Sequence, residues 1–521
     1  MPDTAGALEL LQEIAELMRL LDENPFKVRA FENACKTLQS RQDLQKRAKA
    51  GTLTELDGVG KGIASVLSEY FATGRSSERD ALRAKLPEGM IELTQIPGLG
   101  PKKAKLLIEE LEIRTWGELE YACRENRLLG LKGFGEKAQS KLLEQLQFLQ
   151  ATRGQVRWVD AHASIPALLK RVKGRAEVVG AIARRLEVVD GIDVLVEKKQ
   201  ELKSELVPVR VHVSSGSWGY DRVRLSSSEE FWLALGAPKH FSAKTEEEFF
   251  AHLKLPLIAP EFRETAESVE LARRGQLSAV LPWDGVRGVF HSHTTYSDGT
   301  ASVEQMVKAA RDLGYAYIGI SDHSQSAFYA QGLKSDALKK QEKEIKKVQE
   351  KYPEIRVFWG IESDILADGS LDYPANELQR FDFVIASIHS RFQMDSEQMT
   401  ERMLRAIRNP ATRFVGHVTG RLLLGRKGYA LDLEKITREC AKLDVAIEIN
   451  AHPSRLDIDW RHGPLLRACG TKVSINPDAH EVDGLKDVEH GIAVARKALL
   501  PARLVLNSRS TKEVAAWLQR K

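Results

Sequence analysis

Between residues 288 and 480, seven short apolar runs each lead into a side chain that can bind a metal ion, with amphipathic segments between most of them. Gly288-Val289-Phe290 runs into His291-Ser292-His293, and Asp298 follows in Ser297-Asp298-Gly299. Ala316 to Ile320 leads to Asp322-His323, Ile355 to Ile361 leads to Glu362, Phe383 to Ile388 leads to His389, and Phe414-Val415-Gly416 leads to His417. Val445 to Ile449 runs into Asn450, and Val473 to Asn476 runs into Asp478 and His480. A His-x-His pair in extended backbone turns both imidazoles to one side of the strand. Continuous apolar runs of this length suit strands buried on both faces, and the segments between them have helical periodicity. The alternation predicts a β/α barrel whose strand carboxyl ends converge on one site. A lone histidine at a strand end is ordinarily a hydrogen-bonded residue and nothing more. Chance gives no reason for the same register at one strand end after another.

The barrel leaves more than half of the 521 residues to other domains. Ahead of it lies an internal repeat: Leu56-Asp57-Gly58-Val59-Gly60-Lys61, Ile96-Pro97-Gly98-Leu99-Gly100-Pro101-Lys102-Lys103 and Leu131-Lys132-Gly133-Phe134-Gly135-Glu136-Lys137, each opening a helical pattern. The repeat resembles the helix-hairpin-helix motif. In that motif the glycines allow a tight turn, and backbone N–H groups at the following helix start approach a DNA phosphate. Lys61, Lys102, Lys103 and Lys137 would add charge there. The resemblance implies DNA binding that is weakly sequence-specific and strongly salt-dependent, because phosphate contacts carry no base information. A net charge of +4 neither requires nor opposes such a partner.

The segment Glu23-Asn24-Pro25-Phe26-Lys27-Val28-Arg29-Ala30-Phe31, together with the hairpins, looks like the amino-terminal lyase-type domain of family X DNA polymerases. In lyase-competent members a lysine beyond the first hairpin forms an imine. The matching position here is Val66, which cannot. No deoxyribose-phosphate lyase activity is therefore expected, and Lys27 and Lys61 are left as phosphate contacts.

A polymerase palm follows in degenerate form. Val178 to Arg185 and Val189 to Val196 resemble the family's Gly-Ser-x-Arg-Arg loop and its Asp-x-Asp strand. On that resemblance the triphosphate-cradling serine is Ala181, the first metal-binding aspartate is Gly191, the third is Pro208, and only Asp193 remains. Two-metal phosphoryl transfer needs several carboxylates, so the resemblance implies a palm without polymerase activity. Strand alternation predicts that Asp190 points away from Asp193.

The carboxy-terminal stretch resembles the PHP (polymerase and histidinol phosphatase) domain. In domain order the whole chain resembles the bacterial family X polymerases that carry one. The resemblance implies the ligand set His291, His293, Asp298, His323, Glu362, His389, His417, Asp478 and His480. Nine such ligands exceed the four to six of one ion, which implies two or three divalent ions bridged by Glu362. Imidazole with carboxylate suits manganese, the first expectation, and also zinc or iron. Arg391 and Arg421 follow ligand histidines closely and are expected to clamp a phosphate in catalysis. Asp322, Asn450 and His452 are expected to orient ligands.

The fold expected is multidomain α/β: a lyase-like helical domain at 1–85 with the first hairpin, a fingers-like hairpin domain at 86–154, a degenerate palm at 155–235, a shortened thumb-like segment and linker at 236–284, and a distorted β/α barrel at 285–521. The expected function is a metal-dependent DNA phosphodiesterase in DNA repair, chiefly a 3′-5′ exonuclease with nuclease action at abasic sites as a further possibility, acting on gapped, primer-template or abasic DNA. The competing readings are a residual polymerase, a small-molecule phosphatase and a non-catalytic DNA scaffold. No run approaches the roughly 18 apolar residues of a membrane span, and the amino terminus lacks a signal-peptide layout, so a cytoplasmic protein is expected. Cys35, Cys123, Cys440 and Cys469 stand far apart and are expected to be buried apolar residues.

Overall fold

Folding divides the chain into two units, Met1–Arg153 and Gly154–Lys521. The computed structural model describes all residues except 1, 40, 42, 112, 117–118, 120–121, 124–127, 129–130, 132, 153, 205, 328–329, 425–426 and 520–521. No helix among the described residues is long and apolar enough to cross a membrane.

The first unit is helical: α1 (Thr4–Leu20), α2 (Pro25–Leu38), α3 (Leu44–Ala50), α4 (Lys61–Thr73), α5 (Ser77–Lys85), α6 (Met90–Thr94), α7 (Pro101–Leu111) and α8 (Glu136–Thr152). Side-chain caps begin the first two. The Asp3 carboxylate accepts from the Gly6 N–H at 2.8 Å, and Asn24 caps α2 ahead of Pro25, whose missing N–H costs nothing at that position. Two apolar clusters form the cores, one running from Ala7 to Leu82 and one from Met90 to Leu146, with Leu86 against both. Val66 is buried in the first, where it packs as an apolar residue and offers no amine.

The three hairpins fold alike. Gly58, Gly98 and Gly133 take φ of +78°, +85° and +90°, where a side chain would be strained. In each, the residue after that glycine (Val59, Leu99, Phe134) is buried and donates back to the carbonyl three residues earlier, at 3.0, 3.0 and 3.1 Å. Gly60, Gly100 and Gly135 are exposed with open space where a Cβ would stand, and their carbonyls open α4, α7 and α8. Lys61, Lys102 and Lys137 are exposed beside these helix starts. Lys103 is half-buried, with its ammonium 5.3 Å from the Phe134 ring centre of the third hairpin.

The second unit opens with a short ribbon, β1 (Val156–Arg157) against β3 (Val188–Val189), and a three-stranded sheet ordered β2 (Ala176–Val179), β4 (Ile192–Val196), β5 (Val209–Val213). Parallel pairing of β4 with β5 sets Asp193 directly opposite Arg210. Beyond it, one apolar cluster around Phe231, Trp232, Phe249 and Phe250 runs from Val223 to Val280, so the packing crosses the expected boundary at 235/236.

The barrel strands are β6 (Gly288–Val289), β7 (Tyr317–Ile320), β8 (Arg356–Asp364), β9 (Phe383–Ser387), β10 (Thr412–Val415), β11 (Ala446–Asn450) and β12 (Val473–Asn476). They are parallel and neighbour one another in chain order. The two ends are tied where the His293 N–H donates to the Ala479 carbonyl at 2.8 Å. Phe290, Phe358, Phe383 and Phe414 fill the interior, and Trp517 of the last helix (Thr511–Leu518) packs on Phe414. Gly360 makes room for this layer, since a Cβ there would lie 2.2 Å from the Phe383 ring. Cys123 and Cys440 are buried as expected, whereas Cys35 and Cys469 are half-buried.

Candidate metal centre

The aromatic layer closes the barrel interior, and the polar side chains gather next to it at the strand carboxyl ends. All nine expected ligands meet there. Three groups of donor atoms have the spacing of metal sites: His293, Asp298, His323 and His480; His291, His293 and Asp478; and His323, Glu362 and His389. His417 joins the last through Glu362, its Nε2 lying 3.1 Å from Oε1, and through the His389 Nε2 at 3.2 Å. The groups share His293 and His323, so ions held by them would be neighbours. Glu362 touches His291, His323, His389 and His417, the position of a bridge.

Backbone strain accompanies the convergence. His417 and Asp478 take φ of +23° and +53°, a conformation that costs on the order of 1–3 kcal/mol and persists only where the surroundings impose it. The atoms left over fit cations. Among the described residues His291 Nε2, His293 Nδ1 and His417 Nδ1 are buried without a hydrogen-bond partner, a state costly for a polar atom unless an ion or water meets it.

His291, His389 and Asp478 are held from their outer faces. His291 Nδ1 lies 2.7 Å from Glu448, and His389 Nδ1 lies 2.7 Å from Asp364, which turns each Nε2 toward the centre. Glu448 also accepts from the His417 N–H at 2.8 Å. Asp478 divides its oxygens: Oδ1 faces His293 at 3.1 Å and His291 at 3.3 Å, while Oδ2 accepts from Asn450 at 3.0 Å. Asp322 is fully buried and accepts from Thr294 and Ser297, which shapes the loop between His293 and Asp298. His452 accepts from the Ser454 N–H at 3.2 Å.

Charge follows this geometry. Burial opposes protonation of His291, but Asp478, Glu448 and Glu362 outweigh it and hold the ring well above its ordinary range. Burial is likewise outweighed at His389 by Glu362 and Asp364, and that ring is pushed up to about 10. At His293 burial acts with the neighbouring His323 and His480, pushing it down to about 3. The carboxylates thus demand positive charge at the centre, from protons or from metal ions.

Glu448 and Asp364 escaped the sequence reading, although each left a signal. A glutamate inside the otherwise apolar strand Ala446-Ile447-Glu448-Ile449 has no reason to be buried without a partner. Asp364 shares a strand face with Glu362 by period-two alternation, because β8 runs past Glu362 instead of ending at it. The two expected phosphate clamps fare differently. Arg391 is exposed at φ +55° and borders a cavity of about 930 Å³ with Asp368, Met394 and Arg402. Arg421 points elsewhere: its guanidinium pairs with Asp459 and donates to the Arg455 and Leu456 carbonyls, so its fork is spent inside the protein.

In the three-stranded central sheet, Arg210 grips Asp193 with two N–H donors at 2.9 Å each, and His212 lies 2.8 Å away. A Cβ at Gly191 would lie 2.7 Å from the same guanidinium. Asp190 corrects the sequence expectation, since it reaches Arg210 at 3.1 Å. It stands in the bend before β4 begins at Ile192, where strand alternation does not apply. Pro208 is exposed and Ala181 half-buried.

Comparison with known proteins agrees with these landmarks. Residues 290–452 match the PHP domain, residues 3–76 a helix-hairpin-helix domain, and residues 90–147 a SAM-like helix-hairpin-helix tandem. The chain is 33% identical to "DNA polymerase/3′-5′ exonuclease PolX" of Bacillus subtilis, over 98% of this chain and 99% of that one. It is 27% identical to a Caldanaerobacter subterraneus protein named "Probable phosphatase", over 34% of this chain and 71% of that one. A protein of the same name from Acetivibrio thermocellus is 25% identical, over 44% of this chain and 94% of that one.

Proposed function

Because this chain belongs to the PolX family, with helix-hairpin-helix domains ahead of a PHP domain, we propose that it is a DNA phosphodiesterase that removes nucleotides from 3′ ends, with incision at abasic sites as a related activity. The observation that carries the reading is the run of three abutting donor groups that share His293 and His323, with Glu362 among them. A metal-dependent phosphoesterase is the class it defines. Divalent ions, when bound, supply an activated water and neutralise charge on the phosphate oxygens. His291, His293 and Asp478 would hold one ion, His323, Glu362, His389 and His417 another, and His293, Asp298, His323 and His480 a third. Manganese suits this donor set best, with zinc and iron as the other candidates, because no thiolate takes part. Glu448, Asp364 and Asn450 keep the ligands aimed, and the aromatic layer keeps bulk water out from below.

The hairpins supply DNA binding. Exposed glycines and lysines at three helix starts suit phosphate oxygens and offer nothing to read base edges, so binding to gapped, primer-template or abasic DNA is weakly sequence-specific. The palm contributes no synthesis in this reading, with Arg210 seated on the last of its carboxylates, and Val66 leaves the first domain without lyase chemistry.

Two expected results test this reading. Incubation with end-labelled primer-template DNA and manganese gives shortening of the 3′ end, and incubation with abasic DNA gives incision. Neither product in manganese, zinc or iron would leave only a binding protein. Removing metal by chelation lowers the melting temperature of the second unit, because buried carboxylates then face one another less well compensated. At a free metal concentration of a hundred times Kd the stabilisation removed is about 2.7 kcal/mol, worth several degrees. An unchanged melting curve would mean that the site does not hold metal.

A smaller expected effect concerns the hairpins. Lys102→Ala with Lys103→Ala weakens DNA binding equally across sequences and lowers the salt slope by about 0.9 for each phosphate that the protein no longer neutralises. Most of the change belongs to Lys102, since Lys103 is partly engaged with Phe134. A loss confined to particular sequences, measured by fluorescence anisotropy, would contradict backbone reading.

A further inference from the structure

The segment 452–461 follows β11 and carries a guanidinium to the metal centre from a side the ligand motifs do not describe. Arg455 Nε lies 3.7 Å from Asp478 Oδ2, and the side chain is four-fifths buried. That oxygen is the one turned away from His291 and His293, so Arg455 approaches the centre beside the ligands and not through them. Among the described residues Asp478 is its one ion-pair partner, which leaves most of its donor fork unspent.

Local bonds shape part of the segment: the Arg455 and Leu456 N–H groups donate to the His452 carbonyl at 2.8 and 3.1 Å, and Asn450 and Asp457 pair through their backbones. Leu456, the next residue, takes φ +46°, a conformation that a branched side chain adopts only under constraint. A further, long-range constraint comes from the palm remnant. Arg157 on β1 donates to the Ser454 hydroxyl at 2.5 Å. Glu187, just before β3 and nearly buried, pairs with Arg461 and accepts from the Trp460 indole N–H at 3.2 Å. Arg461 in turn binds Asp459 at 2.9 Å, and Asp459 pairs with Arg421, which donates to the carbonyls of Arg455 and Leu456. The β1–β3 ribbon therefore grips the segment on both sides of Arg455. Arg421 is the pivot that joins this grip to the loop following His417.

We propose that Arg455 contacts the substrate phosphate, and that Glu187 and Arg157 of the palm remnant are positioning residues for it. On this inference the remnant persists because it completes the phosphoesterase site. It rests on the phosphoesterase reading above. A guanidinium offers two parallel N–H donors that match two phosphate oxygens, and fixing its backbone beforehand spares the ordering cost at binding.

The test uses the full-length, manganese-loaded protein with bis-p-nitrophenyl phosphate, which needs no hairpin contact, and inorganic phosphate binding by calorimetry as a second readout. Arg455→Ala and Glu187→Ala should each raise KM and weaken phosphate binding by on the order of tenfold, with kcat changed less and metal content by mass spectrometry unchanged. The double variant should lose little more than either single one, because both act on the same interaction. Glu187→Gln, which still accepts from Trp460, should recover part of the loss. If Glu187→Ala folds poorly, Arg157→Ala replaces it in the same cycle. Wild-type values in Glu187→Ala or Arg157→Ala would overturn the inference, as would losses that multiply in the double variant or loss of metal. A wild-type protein that neither cleaves the diester nor binds phosphate would instead remove the phosphoesterase reading on which it stands.

Discussion

With manganese present, His291→Ala or Asp478→Ala slows 3′-end shortening by at least about a hundredfold, while DNA binding stays within about twofold of wild type. His291 is fully buried and its Nε2 lies 3.3 Å from both Glu362 and Asp478, so truncation removes a donor from the middle of the cluster. It also strands Glu448, whose carboxylate lies 2.7 Å from His291 Nδ1 and also accepts from the His417 N–H. Asp478→Ala removes the oxygen facing His291 and His293 and frees Asn450 and Arg455 from their shared partner. The hairpins belong to the other unit and keep their glycines and lysines in both variants. Equal digestion by wild type and both variants would identify a contaminating nuclease and end the assignment.

Primer extension is absent in the His291→Ala protein, where degradation cannot mask synthesis. Two-metal nucleotidyl transfer needs several carboxylates, and in the central sheet Asp193 already carries Arg210 on both oxygens and His212 on one. Burial raises the Asp193 pKa, but the bonds from Arg210 and His212 outweigh it and keep the carboxyl ionised and internally neutralised. Each missing electrostatic element commonly costs on the order of a hundredfold in rate, so two missing carboxylates place extension below ordinary detection. Gly191→Asp alone restores nothing, because the new Cβ would meet the Arg210 guanidinium at 2.7 Å and the added carboxylate would pair with it. Template-dependent incorporation by the His291→Ala protein, measured with labelled nucleotide, would overturn the reading of an inactive palm.

Much of the site was legible because its chemistry is written in strand-end residues. An apolar run followed by His, Asp or Glu, repeated in one register, predicts convergence before any distance is known, since parallel strands in a barrel bring their carboxyl ends together. The three hairpins were equally legible, because Gly-x-Gly ahead of a helix demands the positive φ seen at Gly58, Gly98 and Gly133. Periodicity also has defined limits. It misplaced Asp190, which lies outside the strand whose alternation was applied to it, and it missed Asp364, which lies inside a strand that runs further than its apolar part.

By itself the sequence determined which residues carry donors, how they recur and what kind of layered fold can bury the runs between them, because these depend on local periodicity and side-chain chemistry. Only the tertiary structure decided where each donor is aimed. Arg421 and Arg455 stand at similar removes from the ends of β10 and β11, yet one guanidinium is consumed by Asp459 and two carbonyls while the other reaches Asp478. The segment that carries Arg455 is bonded to Arg157 and Glu187, some 270 to 300 positions earlier in the chain by the separations of those bonds. Orientation depends on which distant groups are left to satisfy a buried charge, and no local pattern records that.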